Sequence, residues 1–151
     1  MKNASHELLN QMLVETFNQI LVLQETFINQ HTELSVTMNE VHLLEAIERF
    51  GSPTMAQVSQ YMLVTPGTLS TSVKRLEKKG YVTRRQNTED RRVYHLSITA
   101  KATKVLAIHQ DFHQRMIEGI LNHPEVDLQS VFHTIKVLLE FFETLKKEYA
   151  K

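Results

Sequence analysis

The chain has no cysteine, which excludes disulfides, thiolate zinc sites and cysteine nucleophiles and fits a reducing cytoplasm. Helix breakers are scarce, with 4 Gly and 3 Pro among 151 residues, so one mostly helical unit with a single well-buried core is expected. No apolar run approaches the roughly 18–20 residues of a membrane span. Nor does a basic segment followed by an apolar one open the chain, as an export signal would. A protein kept in the cytosol, without a membrane partner, follows. Catalytic signatures are missing as well: there is no Gly-rich phosphate loop and no serine nucleophile elbow, and the acids fall mostly on expected helix surfaces. No enzyme is expected.

What is present is charge in one place. The formal net charge is zero, yet residues 74 to 104 carry ten Lys/Arg against three Asp/Glu, a local charge of +7. The ten are Lys74, Arg75, Lys78, Lys79, Arg84, Arg85, Arg91, Arg92, Lys101 and Lys104. Residues 1 to 73 total −5 and residues 105 to 151 total −2. A positive field on an otherwise mildly acidic body suits a polyanion held at one face, because neutralised phosphates release condensed counterions. Charge runs are also found on plain solvated surfaces, so the structure around these charges must decide.

Apolar residues from Leu8 to Ile28 recur at helical spacing within Glu7 to Gln30, in a stripe wider than one buried face. A second helix opens at Thr37, with Glu40 completing a capping box, and closes at Gly51. Thr54 and Gln57 repeat the box and start a short helix to about Met62. Thr65 caps the next helix, Pro66 suits its first turn, and Gly80 ends it. Two short helices separated by about three residues form a helix-turn-helix, whose second helix can enter the DNA major groove.

Leu69, Val73 and Leu76 should face the core, leaving Gly67, Thr71, Lys74 and Lys78 opposite, with Thr68, Ser70 and Arg75 on the flanks. This face is small and polar first and basic later. That order fits an N-terminal half near base edges and a C-terminal half near phosphates. Two extended runs follow, Tyr81 to Arg85 and Val93 to Ile98, joined by a polar tip from Gln86 to Arg92. A hairpin after a helix-turn-helix is a wing, and an arginine at its tip could enter the narrow minor groove.

The stretch DRRVYHLSIT, from Asp90 to Thr99, resembles the wing signature of the MarR family of winged-helix regulators, D-x-R-x-x-x-L-x-L-T. Asp90, Arg92, Leu96 and Thr99 match it, Ile98 replaces the usual Leu, and Ala102 stands where a Gly is frequent. The resemblance covers nearly the whole chain. It implies that Thr65 to Lys79 is the recognition helix, that Arg92 reaches into the minor groove beside Arg91, and that Asp90 positions the tip. The expected DNA contacts are thus Thr65, Gly67, Thr68, Ser70, Thr71, Lys74, Arg75, Asp90, Arg91 and Arg92. Together VTPGTLSTSVKRLEKKGYV, EVH (Glu40 to His42), EDRRVYHLSIT and HQDFH (His109 to His113) look similar to the branch that represses fatty-acid synthesis genes. That likeness implies long-chain acyl carrier protein as co-repressor, for which Arg49, Lys101, Lys104 and Arg115 are basic candidates.

Thr99 to His123 reads as a long helix, Pro124 interrupts, and Asp127 to Tyr149 is another, with Leu128, Val131, Phe132, Ile135, Leu138, Leu139, Phe142 and Leu145 spaced for burial. Terminal helices this apolar need a partner surface. The expected protein is mainly α with a small β-hairpin wing. Residues 37–99 form the winged helix-turn-helix, residues 1–36 and 100–151 the helical dimerisation region, and the homodimer reads double-stranded DNA bearing an inverted repeat.

Eight histidines are many for this length. His109 and His113 lie four apart on one helical face, the spacing that lets two imidazoles share a metal, and His42 could be a third ligand. The sequence shows no acid beside the pair, because Asp111 falls on another face. Structural histidines are the preferred reading, no cofactor is expected, and a zinc-responsive or small-molecule-responsive repressor is the alternative. Phe17, Phe27, Met38, Phe112 and Met116 could line an effector cavity for an acyl chain or simply fill the core.

Overall fold

A computed structural model describes residues 2–31 and 34–149, with side chains from Ser5 onward. Met1, Thr32, Glu33, Ala150 and Lys151, which the expected dimerisation ranges 1–36 and 100–151 include, lie outside the described residues. The described elements run α1 (Lys2–Asn29), α2 (Met38–Phe50), α3 (Met55–Met62), α4 (Pro66–Lys78), β1 (Val82–Gln86), β2 (Tyr94–Ile98), α5 (Ala100–Leu121) and α6 (Leu128–Tyr149). They form two compact units, residues 1–112 and 113–151. No helix among the described residues is long and apolar enough to cross a membrane.

Local chemistry sets the ends of the short helices. Thr37 accepts from the Glu40 N–H at 3.3 Å while the Glu40 carboxylate accepts from the Thr37 N–H at 3.0 Å, a closed capping box. Thr54 and Gln57 repeat it at 3.3 and 2.9 Å. Thr65 caps α4 through the Thr68 N–H at 3.2 Å, and Pro66 occupies the first turn. Gly51 closes α2 at φ 76° and Gly80 follows α4 at φ 78°, a region costly for residues with a Cβ. Leu63 holds φ 54° at the end of α3, so the turn between α3 and α4 is made without glycine.

Unit 1 is built around one core. Val41, Leu44 and Ile47 of α2, Val58 of α3, Leu69, Val73 and Leu76 of α4, and Tyr81 and Leu96 of the wing are buried together with Val105 of α5. Each large apolar side chain removed from water contributes about 1.5–3 kcal/mol, so this cluster holds the helix-turn-helix and the wing as one lobe. β1 and β2 pair antiparallel from Val82↔Ile98 to Gln86↔Tyr94. β2 also touches the segment before α3: the Leu96 N–H donates to the Pro53 carbonyl at 2.8 Å, and Thr54 bridges His95.

Several boundaries differ from expectation. α1 starts at Lys2 rather than Glu7, because helical geometry continues through polar residues that add nothing to the apolar stripe. β1 shifts by one residue and β2 starts one residue later, since Gln86 pairs with Tyr94 while Tyr81 is buried ahead of the ladder. α5 ends at Leu121, short of His123. In unit 2, Asp127 caps α6, its carboxylate accepting from the Ser130 N–H at 3.1 Å and from the Ser130 hydroxyl. Those bonds hold the Asp127 carboxyl below its usual range. The residues of α6 spaced for burial are not buried within this chain: Phe132 is 67% and Leu139 59% exposed.

Candidate nucleic-acid interface

α4 carries the first half of the candidate surface. Leu69, Val73 and Leu76 anchor one face in the core, and Gly67, Thr68, Thr71, Lys74, Arg75 and Lys78 lie exposed on the other. Ser70 is half-buried at the edge, a less accessible position than the others. The Thr65 and Thr68 hydroxyls bond each other at 2.9 Å, and the Thr71 hydroxyl donates to the Gly67 carbonyl at 3.1 Å. A hydroxyl donating back to its own helix still offers lone pairs outward.

The basic end of α4 is tied to α2 by a residue that earns its place through burial. Glu40 is 3% exposed and accepts from Lys79 Nζ at 2.8 and 2.9 Å, with Arg75 Nη1 at 4.0 Å. A carboxylate this deep requires its cation, and the pair fixes how α4 leaves the lobe. β1 is tied to α4 in turn, since Arg84 Nε lies 2.9 Å from Glu77 and its guanidinium covers the Tyr94 ring.

The wing tip is ordered by side-chain acceptors. Asn87 Oδ1 accepts from the Glu89 and Asp90 N–H groups at 2.7 and 3.1 Å. Asp90 Oδ1 accepts from the Arg92 N–H at 2.9 Å and from Arg92 Nε at 3.4 Å. Arg92 itself is 94% exposed, and Arg91 beside it is exposed too. The Asp90 contacts hold the Arg92 backbone N–H and Nε, and the rest of the guanidinium is open to solvent.

The histidines divide. His109 is buried at 2% exposure with Nδ1 2.8 Å from Glu45 Oε1, and its ring stands edge-on to His42 at 5.7 Å between centroids. Glu45 is the acid that the sequence did not reveal beside His109; the two are 64 residues apart and meet only through the packing of α2 on α5. Burial lowers the His42 imidazole below its ordinary value, the Glu45 carboxylate opposes that, and His109 adds to it. His113 is half-buried, further along α5. Among the described residues no group of three or more His, Asp or Glu is gathered to hold a metal ion.

Of the residues considered for an effector cavity, Phe17 is 44% exposed, while Phe27 and Phe112 meet with ring centroids 5.7 Å apart. A separate cavity of about 280 Å³ lies between α2 and the turn into α4, lined by Asn39, Leu43, Met62, Val64, Thr68, Leu69 and Ser72. Arg49 and Lys101 have local partners: Arg49 Nη1 donates to the Tyr61 hydroxyl at 3.3 Å, and Lys101 Nζ donates to the Lys79 carbonyl at 2.8 Å. Sequence reasoning missed the Glu40–Lys79 tie, the Asn87 cap of the tip and the His95 contacts. Asn87 alone had a local signal, an Asn opening a polar turn.

Residues 36–94 match the model of the MarR family. The structure superposes with a TM-score of 0.84 on Streptococcus pneumoniae FabT, solved in complex with DNA, at 30% identity over 94% of this chain and 98% of that one. The chain belongs to the MarR family. The transcriptional repressor MdtR of Bacillus subtilis is 26% identical over 85% of this chain and 84% of its own length. A MarR protein from Peptoclostridium difficile shares the fold at a TM-score of 0.74 and 20% identity, covering 91% of this chain and 88% of that one. As a MarR-type winged helix the chain is a transcriptional regulator, and the β1–β2 hairpin is the wing of that fold.

Proposed function

We propose that the chain is a repressor that binds an inverted-repeat operator as a homodimer and controls fatty-acid synthesis genes, with long-chain acyl carrier protein as co-repressor. The observation that carries the DNA-binding reading is the likeness to FabT, a protein solved on DNA, over nearly the full length of both chains. In this reading Gly67, Thr68, Ser70, Thr71, Lys74 and Arg75 meet the major groove, Thr65 the adjoining backbone, and Arg92, held by Asp90 and flanked by Arg91, the minor groove. Two such lobes read half-sites roughly 10 bp between centres. The same likeness, together with the motifs shared with the lipid-controlling branch, supports the fatty-acid assignment.

The test is to incubate the purified protein with fragments of its own genome and sequence those retained, with and without long-chain acyl carrier protein. Inverted repeats upstream of fatty-acid synthesis genes, enriched further by the acyl partner, are expected. Enrichment beside metal-uptake genes would instead make ligands of His42, His109 and His113, and indifference to the acyl partner would remove it as co-repressor.

A further inference from the structure

The tip that presents Arg92 is braced from outside the hairpin. His95, the second residue of β2, points both ring nitrogens at fixed partners: Nδ1 lies 2.9 Å from the Ser52 carbonyl, and Nε2 lies 3.3 Å from Asn87 Nδ2. The polarity of this chain is determined. Asn87 Oδ1 accepts two tip N–H groups, so the amide nitrogen must be the atom facing His95. His95 Nε2 therefore accepts, and Nδ1 carries the proton donated to Ser52. Ser52 belongs to the Gly51–Thr54 segment whose Thr54 caps α3, so the relay starts on the helix-turn-helix scaffold. It continues through His95 and Asn87 to the Glu89 and Asp90 backbone, and through the Asp90 carboxylate to Arg92.

We infer that His95 and Asn87 are positioning residues for the minor-groove arginine, a pair that sets the aim of the wing tip relative to the recognition helix. This inference rests on the DNA-binding reading above. Neither residue touches DNA in it; both act through Asp90 and Arg92. The His95–Ser52 bond joins segments 43 residues apart and the Asn87 contacts lie within the hairpin, so removing either side chain loosens the tip while leaving the core of Leu96 and Tyr81 intact.

The variant that separates the two halves of the relay is His95→Asn, whose shorter side chain can still donate to Ser52 but cannot reach Asn87. Asn87→Ala removes that contact together with the two bonds its Oδ1 accepts from the Glu89 and Asp90 N–H groups. In the DNA-free protein, amide exchange at Glu89 and Asp90 should quicken about two- to tenfold in His95→Asn, as expected for one hydrogen bond lost, and more in Asn87→Ala, where each amide also loses its own acceptor. Affinity is then measured for a duplex that the parent protein selects from a randomised pool. It should fall about fivefold in each variant, and that loss should vanish in an Arg92→Ala background, because positioning an absent arginine has no effect. Unchanged exchange at both amides in His95→Asn would overturn the relay, whatever happens on DNA. Faster exchange with an affinity loss that adds fully to that of Arg92→Ala, or with none, would overturn the link to Arg92. Failure of the parent to select any duplex would instead remove the DNA-binding reading on which the inference rests.

Discussion

α4 and α6 are both strongly amphipathic helices, and they treat their apolar faces oppositely. α4 buries Leu69, Val73 and Leu76 inside its own chain, whereas none of the residues of α6 is buried there, and Phe132, Ile135 and Leu139 stand more than half exposed. α1 resembles α6, with Leu8, Leu9, Met12 and Leu21 each above 55% exposed. One polypeptide thus holds a lobe that satisfies itself and helices that do not. A sequence pattern reports that a face is apolar without reporting what covers it. In the proposed homodimer the second copy covers the terminal helices, and the self-sufficient lobe remains free to meet DNA.

The contrast can be broken most forcefully from the core side. Leu76→Ala, at a fully buried position, should cost about 2–5 kcal/mol in thermal or denaturant unfolding. Lys79→Met strands the Glu40 carboxylate at 3% exposure and should cost about 3 kcal/mol, with Arg75 at 4.0 Å too loose to replace it. On the other side, Phe132→Ser and Leu139→Ser would shift stability by less than about 0.5 kcal/mol if α6 stayed bare. We expect instead a dimer weakened by about 2 kcal/mol per side chain, seen as a melting temperature that falls on dilution. A concentration-independent melt would remove the second copy from the account.

Arg92→Ala should leave unfolding unchanged while weakening binding to the selected duplex by about 1–3 kcal/mol, most strongly with A·T-rich flanks. Equal affinity of variant and parent would reject the wing assignment. The smallest expected effect belongs to His42. Its folded imidazole titrates below the ordinary value through burial, so the unfolded chain takes up the proton first. Stability should therefore be full above the ordinary imidazole range and decline as pH falls from that range toward the depressed folded value. His42→Gln should flatten that slope in unfolding measured from pH 7.5 to 5.5; an unchanged slope would assign it elsewhere.

What could be read from the chain alone followed the range of the interactions. Capping boxes at Thr37/Glu40 and Thr54/Gln57 span four residues, and Pro66 and Gly51 carry their backbone preferences with them, so the helix-turn-helix boundaries were accurate. The strand bounds of the wing were off by one residue at three ends, because strand ends depend on cross-strand partners such as Gln86↔Tyr94. The ties that hold the site in place were invisible: Glu40 meets Lys79 across 39 residues, His95 meets Ser52 across 43, and His109 meets Glu45 across 64. Glu40 illustrates the limit. Its capping role was evident locally, yet its burial against the recognition helix follows only from how α2 and α4 pack. The exposed face of α4 from Gly67 to Lys78 was legible because the helical period that buries Leu69, Val73 and Leu76 also fixes what lies opposite.

The most direct test of the whole account is the stoichiometry of the protein on a duplex it has selected, measured by sedimentation across a range of salt. Two chains per duplex, with affinity falling steeply as salt rises, is the predicted result, since paired basic lobes release counterions from both half-sites. One chain per duplex, or binding indifferent to salt, would contradict it.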